Sequence, residues 1–193
     1  MNERVATKGQ RPLLMARLLQ GGSSVGSDDW SQCPLYLTTK YLGSRGRRQL
    51  SKFLVAAGSD PTTMDPEGKS SLYWSLRNRD YDLFRFMIDS YNPRCWVALM
   101  NLNVEDLLAN VPEELLLFVQ NQWYNPASLA AQSRLVIRTH LLNKLGNRSL
   151  FLHVPSLPLP AMLHRFLLFD QQPPQEETIP CYMKNTTGKK ARS

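Results

Sequence analysis

The 193-residue chain predicts an all-α fold, a short solenoid of helix pairs followed by a compact helical module. Three observations predict it. Leu72, Leu76, Leu83, Phe84, Met87 and Ile88 recur at helical spacing and make one buried seam between stacked units. Two segments align with each other, Gly22 to Tyr36 and Gly58 to Tyr73, at an offset of 36 to 37 residues. Capping residues, prolines and glycines punctuate the apolar runs where helices should start and stop.

The repeated segments come first along the chain. Each follows an apolar helix ending, Leu18-Leu19-Gln20-Gly21 in one case and Phe53-Leu54-Val55-Ala56-Ala57 in the other. Gly58 and Gly68 permit tight turns, and Ser70 supplies an N-cap oxygen for the next helix. Gly58-Ser59-Asp60-Pro61, the tip Asp65-Pro66-Glu67-Gly68 and the start Ser70-Ser71-Leu72-Tyr73, with its counterpart Cys33-Pro34-Leu35-Tyr36, resemble ankyrin repeats. The run Asn78 to Ile88 is similar to the outer helix of that family. The pattern departs in Arg79, where the family has glycine, and in tyrosines that replace histidines. About four extra residues within Leu42 to Arg48 are expected in a loop. The resemblance implies repeats over residues 1–92. Residues 11–20 read as an outer helix alone, so the first repeat is partial, which implies a truncated isoform or a fragment of a longer parent. It also implies that finger and inner-helix side chains read a target protein, with Trp30, Tyr36, Tyr73 and Trp74 as candidates.

Residues 93–124 read as degenerate capping helices. Asn103-Val104-Glu105-Asp106 places a cap and acids in a first turn. Pro112-Glu113-Glu114 opens another helix, with proline at its first position. The run Leu115 to Val119 is too dense for a surface helix, so these helices are expected between the repeats and the C-terminal module.

Residues 125–170 carry the strongest signal. Asn125 and Pro126 are expected to start a helix that stops near Gly146. Leu129, Ser133, Val136, Ile137 and His140 fall on one stripe; Ala131, Leu135, Leu142 and, more loosely, Arg138 fall on another. Two stripes on one helix face two partners, the chain's own domain and a second chain. In Leu157-Pro158-Leu159-Pro160 the prolines fix the backbone, and Leu157 and Leu159 are expected to project outward. Met162, Leu163, Phe166 and Leu167 form one face for packing back on the first helix.

This stretch resembles the three-helix SOCS box, above all that of ankyrin repeat and SOCS box proteins. The resemblance implies an elongin C contact through Ser128, Leu129, Ser133, Val136 and Ile137, with Leu129 entering an apolar pocket and Ser133, in place of the commoner cysteine, allowing close approach. It implies a cullin contact through Leu157, Pro158, Leu159 and Pro160. The function implied is a substrate-recognition adaptor for elongin B/C and Cullin-5 with its RING protein. A non-catalytic ankyrin scaffold is the alternative, as is a shortened form that occupies elongin B/C without delivering a target.

Other classes find little support in the sequence. The longest apolar stretches are too short to span a bilayer, and Met1-Asn2-Glu3-Arg4 lacks a signal-peptide core, so an intracellular place is expected, cytoplasmic with the nucleus open to it. Cys33, Cys95 and Cys181 form no CxxC pair, and His140, His153 and His164 have no partner at ligand spacing, so no disulfide framework and no metal are expected. The net charge of +7 gathers at Arg45, Arg47, Arg48 and Lys52, expected in the solvated loop, and in a disordered tail from Gln171 to Ser193. No aromatic residues interleave with it in sequence, so neither nucleic acid nor membrane is an expected partner. The acid pairs Asp28-Asp29 and Glu113-Glu114 fit a hairpin tip and a helix first turn. With no phosphate-binding loop and no nucleophile elbow, neither catalysis nor a cofactor is expected.

Overall fold

The computed structural model describes residues 24–26, 29–91, 111–125 and 127–170. Expectations about residues 11–20, the Asn103 helix, Cys95, Cys181 and the tail lie outside the described residues. Within them the chain is helical, with no named strand and two isolated bridges, Ser24 to Arg148 and Met64 to Ser70.

Asp29 caps a 3-10 turn, Trp30–Gln32, and Cys33 and Pro34 then start α1, Pro34–Tyr41. Helix α2 spans Ser44–Ala57. The extra residues therefore do not form the expected loop. Gly43 occupies the N-cap, and the extra residues wind into the first turns of α2. Two contacts hold that winding. Arg47 and Leu50 are buried, and Arg48 donates to Asp80 (2.8 Å) and Asp82 (2.7 Å) at the start of the next pair. The basic cluster is thus helical, with Arg47 buried and Lys52 partly so, rather than a solvated loop.

Helix α2 ends in a Schellman motif. Gly58 adopts φ +119°, its N–H bonds Val55 O, and the Ser59 N–H bonds Leu54 O. The next hairpin turns at Gly68 (φ +77°). Asp65 closes it, accepting from the N–H groups of Glu67 and Lys69 and from the Tyr36 hydroxyl at 2.6 Å. Burial pushes the Asp65 carboxyl up, but these donors and Lys40 outweigh it and hold it below the usual range.

Helix α3, Ser71–Arg77, takes Ser70 as its cap, and α4, Tyr81–Ser90, takes Asp80. Between them Arg79 sits at φ +55°, the left-handed conformation that glycine adopts freely. Arg79→Gly should therefore raise unfolding free energy by about 0.5–1 kcal/mol in a urea melt, the relief of strain exceeding the added chain entropy. The two pairs stack on a common core in which Leu35, Tyr36, Leu54, Leu72, Leu76, Leu83, Phe84, Met87 and Ile88 are buried.

Helix α5 spans Glu113–Tyr124, with Pro112 at its N-cap rather than its first position. It buries Leu115, leaves Leu117 exposed, and places Phe118 under the Arg85 guanidinium. Then come α6, Leu129–Lys144, α7, Leu150–His153, a 3-10 turn at Val154–Ser156, and α8, Ala161–Leu167.

The one described helix of the expected capping segment, α5, does not separate the helix pairs from the C-terminal module. The module packs directly on α2 and α4: Phe151 stacks on Phe53 at 4.3 Å between centroids, and Phe169 meets Phe86 edge-on at 5.7 Å. Aromatic pairs of this kind add to burial energy and help hold the module against α2 and α4. The segment at Val25 closes the joint. Its N–H bonds Asn147 O (2.9 Å), and its carbonyl accepts from the Ser59 hydroxyl (2.8 Å).

Gly58 lies at this joint as well. A Cβ there would stand 2.5 Å from a methyl of Leu142 on α6, in a conformation that side chains avoid. Gly58→Ala should cost about 1–3 kcal/mol in chemical unfolding, and pairing it with Leu142→Ala should recover the clash but not the backbone strain.

Candidate partner-docking site

Helix α6 shows why a single helix can serve two partners. Ser128 is its cap, accepting from the Ala131 N–H at 3.2 Å. Asn125, expected to start this helix, instead closes α5 through its own N–H to Asn121 O (3.0 Å). The helix gives way at Leu145 to two left-handed residues, Gly146 (φ +60°) and Asn147 (φ +59°), and the Asn147 N–H returns to Leu142 O.

The inner face is pinned by two arginines one turn apart. Arg138 is 4% exposed. Its Nη2 donates to Val55 O (2.6 Å), and its Nη1 to Ala56 O (2.9 Å) and Leu167 O (2.7 Å). Val55 and Ala56 are the last turn of α2, so a cation meets the negative end of a helix there. Burial pulls this guanidinium down to about 10, well above neutral, so it remains charged. Arg134 reaches the end of α4, donating to Asp89 O at 3.4 Å. Both guanidinium groups lie over the Phe169 ring, at 4.2 and 4.6 Å. Each outer helix thus has its C-terminal carbonyls met by one arginine of α6.

Among the described residues the opposite face has no such partners. Leu129 is 80% exposed, Val136 67% and Ile137 42%, and Ser133 and His140 lie exposed between and beyond them. Three large apolar side chains at i, i+7 and i+8, separated by a small serine, form a stripe open to solvent. Isolated exposed leucines are ordinary, but an aligned set on one helix marks a contact surface.

The Leu157 to Pro160 segment departs from expectation. Leu157 and Leu159 are half-buried against the core, and Pro158 and Pro160 are the exposed residues. The reason is a tight turn about Pro158, in which the Leu159 N–H bonds Leu157 O at 2.7 Å and turns both leucines inward. In α8, likewise, only Phe166 and Leu167 of the expected packing face turn to the core, while Met162 and Leu163 stay exposed. Leu168 is buried beside them, and Phe169 is packed against the same core.

Among the four candidate target-reading residues, Tyr36 is fully buried and Tyr73 nearly so. Tyr36 holds the Asp65 hairpin and Tyr73 packs edge-on to Trp74, so their aromatic rings are structural rather than available to a partner. Trp30 and Trp74 are half-exposed. The Lys40 ammonium lies 5.8 Å from the Trp30 ring and 4.9 Å from that of Trp74, and Tyr41 is open beside it.

Sequence reasoning placed Arg138 only loosely on the inner stripe and missed its three carbonyl acceptors. The signal present was a lone arginine among apolar neighbours. Arg134, His164 and the Val25 segment carried no comparable signal. Among the described residues no group of His, Cys, Asp or Glu converges to hold a metal ion, and no helix is long and apolar enough to cross a membrane.

Residues 125–168 match the family model of the SOCS box, so the chain carries a SOCS box in α6 to α8. SOCS boxes typically link a protein to elongin B/C and a cullin ubiquitin ligase. The match covers this module and not the helix pairs ahead of it. No curated protein and no solved structure matches the chain.

Proposed function

We propose that the chain is a substrate-recognition adaptor of a ubiquitin ligase built on elongin B/C and Cullin-5 with its RING protein. The observation that carries this is the open Leu129, Ser133, Val136 and Ile137 stripe on a SOCS-box helix whose other face is fixed to the chain's own helix pairs. Elongin C takes that stripe. The cullin takes the edge around Pro158 and Pro160. The adaptor does no chemistry: it raises the effective concentration of a bound target's lysines near the conjugating enzyme.

The helix pairs are the target-reading part, and we read them as ankyrin-like repeats. The capped starts at Ser70 and Asp80, the Asp65 to Gly68 tip and the left-handed Arg79 between paired helices support that reading. Work in the cytoplasm or nucleus accords with the ligase partners. A second reading, a scaffold whose C-terminal helices only cap the stack, draws on Arg138 and Arg134 closing α2 and α4. It leaves the open stripe without a purpose.

Co-expression of the full chain with elongin B and C is the test. A three-chain complex should elute as one species on size exclusion and should capture the N-terminal domain of Cullin-5. A chain that stays soluble and elutes apart from elongin B/C favours the scaffold.

A further inference from the structure

We infer that His164 is a positioning residue for the cullin-facing edge, an inference that rests on the cullin contact proposed above. The segment from Leu157 to Pro160 contains two prolines and so has two N–H donors in four residues, at Leu157 and Leu159. The Leu157 N–H is used at Val154 O, closing the preceding 3-10 turn. The Leu159 N–H is used at Leu157 O, closing the turn about Pro158.

Beyond the packing of Leu157 and Leu159 on the core, a further hold comes from α8. His164 Nε2 lies 3.1 Å from the same Leu157 oxygen. A carbonyl can only accept, so Nε2 carries the proton and donates. The Leu157 carbonyl therefore uses both lone pairs, one for the turn and one for the helix. This bond ties the edge to the first turns of α8, where Pro160 is the N-cap and its carbonyl accepts from the Leu163 and His164 N–H groups. The ring closes a loop from Leu157 through the prolines into α8 and back. Pro158 and Pro160, the exposed residues of the edge, lie inside that loop and inherit its rigidity. The histidine does not need to touch the cullin, because its effect is to present the two prolines in one fixed arrangement and so reduce the ordering cost of binding.

His164→Ala removes the donor and His164→Gln keeps one, because the glutamine Nε2 can occupy the place of the imidazole Nε2. Affinity for the N-terminal domain of Cullin-5 is measured on the full chain already bound to elongin B/C, alongside the affinity of each variant for elongin B/C. The alanine variant should bind the cullin about threefold to tenfold more weakly with unchanged elongin affinity, and the glutamine variant should recover most of the loss. An alanine variant that binds the cullin like wild type overturns the inference while leaving the adaptor reading standing. Equal losses for alanine and glutamine, or a parallel loss of elongin binding, also overturn it, since they mark a general packing role. A wild-type complex that fails to bind the cullin removes the cullin contact itself, and the inference with it.

Discussion

Leu129→Asp should abolish capture of elongin B/C while leaving the chain folded. The separation of the two effects is what makes the result informative. Leu129 is 80% exposed and is the first residue of α6, directly after the Ser128 cap. Removing it takes nothing from the core, so stability should move by no more than about 0.5 kcal/mol. A carboxylate at that position is also favourable for the helix, because it meets the positive end of the dipole. For the partner the same change is severe. Burying a leucine contributes about 1.5–3 kcal/mol, and an unpaired carboxylate forced into an apolar pocket adds several more. A total above about 4 kcal/mol is roughly a thousandfold in affinity. Pull-down from cells and calorimetry with purified elongin B/C check the loss, and circular dichroism checks the fold. A variant that captures elongin as well as wild type places the contact elsewhere.

The stripe was legible in the sequence because which residues share a helix face depends on spacing alone. Leu129, Val136 and Ile137 share a face whatever the rest of the chain does, and Arg138, one position on, necessarily turns away from it. The seam from Leu72 to Ile88 was legible for the same reason, and each of its six residues is buried. Local chemistry also carried through at Gly58, Gly68 and Ser70, where the backbone needs a left-handed turn or a cap oxygen.

What spacing does not encode is which surfaces meet. Arg45 to Lys52 looked like a charged loop because charge was weighed against exposure. Arg48 has two carboxylates waiting 32 and 34 residues away, and that pairing lets the segment wind as helix. Leu157 and Leu159 looked outward-facing because alternating prolines suggest an extended edge. One hydrogen bond across Pro158 reverses the faces. Tyr36 looked like a surface aromatic until its hydroxyl found Asp65. The docking of the SOCS box on α2 and α4 depends on contacts between residues more than 80 positions apart, such as Arg138 with Val55 and Ala56, and no local pattern announces them.

That long-range contact yields the complementary expectation. Arg138→Met lowers the unfolding free energy by about 3 kcal/mol, and the melting temperature falls by about 6–12 °C for a chain of this size. Methionine keeps the apolar stem, so the loss isolates the guanidinium. Val55 O retains the Gly58 N–H, whereas the carbonyls of Ala56 and Leu167 lose the arginine donor that ties α2 to α8. Each buried acceptor left unpaired costs about 1–3 kcal/mol, and relief from burying a charge offsets part of the sum. Arg138→Lys should recover only part of it, because a single ammonium nitrogen replaces the planar fork whose Nη1 and Nη2 divide the three carbonyls between them. Melts monitored by circular dichroism check the shift, and a change below about 2 °C means that the clamp contributes little. The two substitutions should also dissociate in the binding assay. Leu129→Asp loses elongin at full stability, whereas Arg138→Met binds at low temperature with affinity reduced only by the fraction unfolded. If Arg138→Met instead loses elongin while remaining folded, the stripe depends on the orientation the clamp imposes, and the helix pairs and the SOCS box act as one unit in presenting it.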